Sequence, residues 1–390
     1  AILSYFLGYQ QAYVFVIRAS GCQLIVLDNQ QLTQKTIQIW DAISNFTSAQ
    51  VAADYQLYAQ QYTQNAHQLF HQLLAPIESK QDLPETLTII PDGILCYLPF
   101  DLLLRQPVDS SQLYRFEQHS YLIRDYQISY AYSVDQWQRA QQDKPQQRLR
   151  WAGFAPTFFP EKSRFQPLYH NETEVRNIAR LLPGNPVFTG AAASLATLEE
   201  QIQRPSIIHL ATHGLANAYQ SDFAYLAFSQ PDSTEQLLYT QNLYAMDLQK
   251  VGLVVLSACE TGLGEALPGE GVMSLAHAFR YAGAQSIITT LWSIDDEQTA
   301  TIMQHFYQQL VSGKSKDQAL RSARLAYLQA HNGAYAHPFY WAAFVPIGDM
   351  DAVTFVKKNN SQLYIISLSL LLTIIGIWRI APKRQWYKRA

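Results

Sequence analysis

The sequence predicts an α/β protein: a mostly parallel sheet with helices on both faces, preceded by a strand-and-helix half and followed by a transmembrane helix. Three observations carry this. From Trp151 onward, short apolar runs alternate with helix-length amphipathic segments, the pattern of parallel strands joined by crossover helices. Before about residue 145 the chain opens instead with period-2 strands and a long Gln-rich stretch. Beyond Lys358 it becomes uncharged and then almost wholly apolar.

Composition narrows the classes. At 390 residues the chain is long enough for two or three domains, and 48% hydrophobic residues mark a folding chain. A net charge of −3 lacks the basic face that nucleic-acid binding requires, so no nucleic-acid partner is expected. Three cysteines, Cys22, Cys96 and Cys259, cannot build a disulfide framework and read as reduced thiols. Residue 1 is Ala and a β-like run follows at once, which reads as a fragment whose start says nothing about a leader.

Taken in order, residues 13–17 and 24–27 alternate as strands about a Ser20–Gly21 turn. Residues 36–74 read as a long polar helical stretch, and residues 87–90 as a strand ended by Pro91-Asp92-Gly93. Residues 139–150 are polar, Gln-rich and punctuated by Pro145, a linker. Asn171 and Glu174 are spaced as a capping box for a helix ending near Pro183-Gly184, and Ser194 starts the next. Strands follow at 207–211, 251–256 and 286–291, with helices at 272–281, from about 297 and from 315. The apolar run from Leu363, flanked by Trp378 and a tail of Arg379, Lys383, Arg384, Lys388 and Arg389, reads as a membrane anchor. The expected division is therefore residues 1–145, 146–349, a juxtamembrane linker at 350–362, a transmembrane helix at 363–380 and a basic tail at 381–390. The positive-inside rule favours a cytoplasmic tail. A free-thiol enzyme on a short tail anchor favours the reverse, a single-pass protein with its catalytic domain in the cytoplasm, and that orientation is the one expected.

Function in an open parallel sheet gathers beyond the carboxyl ends of the strands. His213 and Gly214 follow the strand at 207–211, and Cys259 follows the strand at 251–256. If those strands are parallel neighbours, imidazole and thiol share one edge. The imidazole then takes the thiol proton and later returns it to a leaving amine. The separation of 46 positions from His213 to Cys259, with Gly262 after the cysteine, resembles the caspase arrangement of a Cys with its His about 50 residues upstream. The backbone N–H groups of Gly214 and Cys259 are candidates for an oxyanion hole. His209, inside a strand, reads as a satisfied core residue, as do Cys22 and Cys96. The glycines at 262, 264, 269 and 271 lack the Lys-Ser/Thr of a phosphate loop and read as a substrate or activation loop. His67 and His71 lack a third ligand and read as surface residues, so no metal is expected.

The stretch His209-Leu210-Ala211-Thr212-His213-Gly214 resembles a signature of the CHAT family, caspase-like domains often found behind tetratricopeptide repeats. So does Val254-Val255-Leu256-Ser257-Ala258-Cys259-Glu260-Thr261-Gly262. Residues 269–276, Leu291-Trp292-Ser293-Ile294-Asp295-Asp296, residues 337–344, and the turns at 91–93 and 98–100 also match, so the resemblance spans about residues 1 to 349. It implies a caspase-like fold related to separases, with residues 1–145 as a pseudo-caspase-like half. It also implies peptidase activity with His213 and Cys259 as the catalytic pair, and a regulatory partner acting through upstream repeats.

The expected function is a cysteine endopeptidase acting on protein substrates without a cofactor. The rival is a non-catalytic caspase-like scaffold that organises partners at a membrane. The loops at about 213–224, 259–271 and 292–297 hold seven acidic residues and no Lys or Arg. That favours a basic residue at the cleavage site, with Glu270, Asp295 and Asp296 as the first candidates to bind it.

Overall fold

The computed structural model describes residues 1–47, 51–142, 148–158, 165, 167–204, 206–215, 223–230, 235–258, 264–267, 271–294 and 296–355. The alternating residues at the start form an antiparallel meander, β1 (Ile2–Leu7), β2 (Ala12–Arg18) and β3 (Gly21–Leu27). Gly21 sits at φ +138°, a conformation open to glycine, at the tight β2–β3 connection. The Gln-rich stretch is two helices rather than one, α1 (Leu32–Phe46) and α2 (Ala52–Leu73), followed by the short α3 (Ala75–Glu78). The first helix stops at an Asn-Phe-Thr-Ser run, where short polar side chains compete for backbone hydrogen bonds. Then come β4 (Thr86–Ile90), β5 (Gln127–Tyr130) and α4 (Val134–Gln142). The expected turn after β4 is present: Gly93 has φ +54° and the Asp92 carboxylate accepts the Leu7 amide at 2.8 Å.

The remainder alternates as expected through β6 (Arg150–Ala155), α5 (Asn171–Leu181), β7 (Val187–Thr189), α6 (Leu195–Ile202) and β8 (Ser206–Ala211). A side sheet of β9 (Gly214–Leu215), β10 (Tyr225–Ser229) and β11 (Glu235–Tyr239) leads through α7 (Thr240–Leu243) to β12 (Val251–Ser257). Next are β13 (Gly264–Leu267), β14 (Gly271–Ser274), α8 (Leu275–Tyr281) and β15 (Ser286–Thr290). The described chain closes with α9 (Asp296–Val311), α10 (Lys316–Ala330), α11 (Pro338–Trp341) and β16 (Phe344–Gly348).

One 11-stranded sheet runs through both halves in the order β3-β2-β1-β4-β5-β16-β15-β12-β8-β6-β7. β1, β4, β5 and β16 are parallel to one another, as are β15, β12, β8, β6 and β7. The two groups run in opposite directions because β16 pairs antiparallel with β15. The predicted mostly parallel sheet is therefore observed. β8 and β15 are buried along their whole length, as strands covered on both faces must be. Residues 1–355 make one compact unit.

Three expectations change. Residues 272–274 belong to β14, not to the following helix: they pair with β13, and the Ser274 hydroxyl caps α8 by accepting the His277 amide at 3.2 Å. Cys22 is exposed on the edge strand β3 rather than in the core. Cys96 lies in a 3₁₀ turn, Gly93–Tyr97, and is half-buried, where burial and the neighbouring Asp92 push its thiol up to about 12. The expected transmembrane helix at 363–380 lies outside the described residues; among those described, no helix is long and apolar enough to cross a membrane.

Candidate active site

β8 and β12 are parallel neighbours whose last paired rung joins Ala211 to Ser257. His213 stands two residues beyond that rung on one strand, and position 259 two residues beyond it on the other. Buried side chains fix this edge. Asn171, at the start of α5, donates to Pro156 O at 3.0 Å and to Ala211 O at 3.3 Å, tying the ends of β6 and β8. Thr290, at the end of β15, donates its hydroxyl to Ala258 O at 2.6 Å. The Thr212 hydroxyl is likewise spent on Ala227 O. Each bond replaces water at a strand end that burial would otherwise leave unsatisfied. Behind them lies a small cavity of about 30 Å³ lined in part by Asn171, Glu174, Thr212, Ser257 and Thr290. The Ser257 hydroxyl is buried there without a hydrogen-bond partner among the described residues.

The His213 ring is half-buried and stacks on Phe165, with centroids 5.0 Å apart and planes 15° apart, and Phe158 lies at 5.7 Å. Two aromatic faces restrict its rotamers. The His213 carbonyl accepts the Ala227 amide at 2.9 Å, which makes that rung a hydrogen-bonded one. Antiparallel alternation then makes Gly214–Leu226 a non-bonded rung, so the Gly214 N–H turns away from β10. Cys259, Glu270 and Asp295 lie outside the described residues. Asp296 is the first residue of α9.

Four residues upstream, His209 is fully buried and satisfied, as expected. Its Nε2 donates to Glu174 Oε1 at 2.9 Å and its Nδ1 accepts the Tyr307 hydroxyl at 3.2 Å. Glu174 is thereby a core partner of β8 and not the second half of a capping box. The spacing signal was present, but its letters do not say whether the carboxylate turns back to its own helix or inward to the sheet. His67 is half-buried, with Nδ1 3.1 Å from Leu104 O and its ring edge-on to His71.

Residues 1–145 also reach this edge, which the sequence did not disclose. Trp40 on α1 meets Trp292 edge-on, with centroids 6.0 Å apart, just beyond β15. Trp292 donates to Phe339 O at 2.8 Å and Trp40 to Tyr97 O at 3.1 Å.

A family profile for the CHAT domain matches residues 63–349. Tetratricopeptide repeat protein 28 of Mus musculus is 32% identical over 118 residues, 30% of this chain and 5% of that protein. Its Homo sapiens counterpart is 25% identical over 227 residues, 50% of this chain and 9% of that protein. The matched part is thus less than a tenth of either relative. Among solved structures, the complex of Porphyromonas gingivalis RgpB pro- and mature domains has a TM-score of 0.48 and 11% identity, covering 85% of this chain and 80% of that one. The Saccharomyces cerevisiae separase–securin complex has a TM-score of 0.46 and 10% identity, covering 85% of this chain and 23% of that one.

Proposed function

The chain belongs to the CHAT domain family, and from that premise we propose that it is a cysteine endopeptidase of caspase-like fold, with Cys259 as nucleophile and His213 as general base. The observation that supports this reading is the register of β8 and β12, which pairs Ala211 with Ser257, each two positions before a proposed dyad residue in the sequence. His213 removes the thiol proton and the thiolate attacks the scissile carbonyl, forming a C–S bond. The N–H groups of Gly214 and Cys259 stabilise the oxyanion. The imidazolium protonates the departing amine as the C–N bond breaks, and water then hydrolyses the thioester. No metal or organic cofactor enters these steps.

The substrate is a protein cut after Lys or Arg, with Glu270, Asp295 and Asp296 as the acidic residues that attract it. Residues 363–380 tether the protein to a membrane, with the catalytic domain in the cytoplasm, and an upstream repeat region regulates it. The rival, a non-catalytic scaffold, draws support from one observation: the His213 ring is packed against Phe165, which closes one of its faces.

The test is a peptide library incubated with the full chain. The expected result is cleavage after Lys or Arg, blocked by iodoacetamide and reduced when Glu270, Asp295 and Asp296 are replaced by amides. Cleavage after Asp would overturn the specificity, and no cleavage of any peptide would favour the scaffold.

A further inference from the structure

We propose that Trp40 and Tyr132, both in the 1–145 half, are positioning residues for the His213/Cys259 site of the other half. This rests on the peptidase reading. The described ends of the segment that carries Cys259 are Ala258, before it, and the β13–β14 hairpin, after it. Each is held through a residue of the first half.

On the upstream side the support runs through tryptophans. Trp40 lies edge-on against Trp292. Trp292 stands two residues past Thr290, whose hydroxyl binds the carbonyl of Ala258, immediately before Cys259. Trp292 is itself 3% exposed and anchored to Phe339 O, with the Trp40 ring as one of its packing partners. The Trp40 indole is fixed in turn by its bond to Tyr97 O.

On the downstream side the contact is Tyr132, just past β5. Its ring meets His277 of α8 edge-on, with centroids 4.8 Å apart. Ser274 ends β14 and caps α8 by accepting the His277 amide, so the Tyr132 ring packs on the first turn after the hairpin. The 3₁₀ turn Gly93–Tyr97, which receives Trp40, packs against β13 and β14 as well. Two independent contacts from one half thus bracket the nucleophile's segment. A misplacement of about 1 Å at a reacting group costs on the order of a hundredfold in rate.

The experiment uses the full chain carrying Trp40→Phe, Trp40→Ala or Tyr132→Ala. Three quantities are read: kcat and KM for peptide cleavage, the thermal midpoint, and the pH profile of Cys259 alkylation by iodoacetamide, resolved by peptide mapping with Cys22 as internal control. Expected is a fall in kcat of roughly tenfold or more for Tyr132→Ala and Trp40→Ala, with KM within about twofold. Cys259 alkylation near pH 6.5 falls in parallel, while Cys22 alkylation is unchanged. Trp40→Phe, which keeps an aromatic edge, restores most of the Trp40→Ala loss. The proposal is overturned, and the peptidase reading kept, if the variants match the wild type in kcat and in Cys259 profile. It fails together with that reading if wild-type Cys259 alkylates like Cys22 and no peptide is cut.

Discussion

β8, β15 and all of β12 except Ser257 are buried, whereas β3 buries only Ile25 and Leu27 of its seven residues. Register explains the contrast. Phe15 pairs with Leu24, and Tyr13 lies between Phe6 and Val26, so Phe6, Phe15, Leu24 and Val26 share one face of the meander and stand exposed there. The opposite face, with Leu3, Val14, Val16 and Ile25, joins the main core. The second half is a covered parallel sheet and the first an open-faced meander, and the direction of the strands differs as well. The carboxyl ends of β4 and β5 therefore open at the edge away from His213. A sheet that reverses at β16 has one chemistry-bearing edge per half, and only in the second half do His and Cys follow the strands. The first half contributes by contact instead.

That division can be broken at the buried joint between the halves. Arg324 of α10 and Asp101, both fully buried, pair at 3.0 Å. Asp101→Ala would leave the guanidinium buried and unpaired, and a loss of roughly 3–5 kcal/mol is expected by denaturant titration. The double change Asp101→Leu with Arg324→Met should recover most of it. Separate melting of the two halves would show instead that they are not one cooperative unit.

The covered and open faces differ in what they lose on truncation. Leu253→Ala in β12 is expected to cost roughly 2–5 kcal/mol, because it opens a void inside a two-sided core. Leu24→Ala, at 50% exposure on the outer face, should stay within about 1 kcal/mol. Equal costs would mean that the meander face is covered in solution.

Glu174 sharpens the comparison at single-residue scale. Glu174→Ala strips His209 of its acceptor, and a loss of about 1–3 kcal/mol is expected. If Glu174 served only as a helix cap, Glu174→Gln would behave like the wild type and His209→Phe would leave its effect unchanged.

The smallest expected effect is a pH dependence at the inter-half aromatic cluster. His337 is fully buried and stacks on Phe46 at 3.7 Å, and burial, aided by His119, holds its pKa well below 6.5. The folded chain keeps it neutral while the unfolded chain binds a proton as pH falls through about 6.5. Stability conferred by the neutral ring is present above that pH and is lost on acidification, so the unfolding free energy should decline between pH 7 and pH 5. His119, also lowered by burial, adds in the same direction. His337→Phe should flatten the decline, and an unchanged slope would contradict the assignment.

Strand periodicity made β2, β8, β12 and β15 legible, and the residues following them pointed to His213 and Cys259 without coordinates. Three things were not legible, each for a physical reason. The joining of the halves rests on Tyr130 pairing with Ile347, a long-range register that no local pattern encodes. β13 and β14 are Gly-bearing and short, so β13 read as loop and most of β14 as the start of the following helix. The docking of Trp40 and Tyr132 depends on side chains brought together only by the tertiary fold, and in sequence each reads as one more aromatic in a polar helix or a strand end.

In the proposed mechanism the imidazole of His213 and the thiol of Cys259 act as one unit. It is tested most directly by comparing peptide turnover by the full chain with that of Cys259→Ala, His213→Ala and the double variant. Either single change should lower kcat by roughly a thousandfold or more, with the double variant no worse than either single one and the thermal midpoints preserved. Turnover by Cys259→Ala equal to that of the wild type would contradict it.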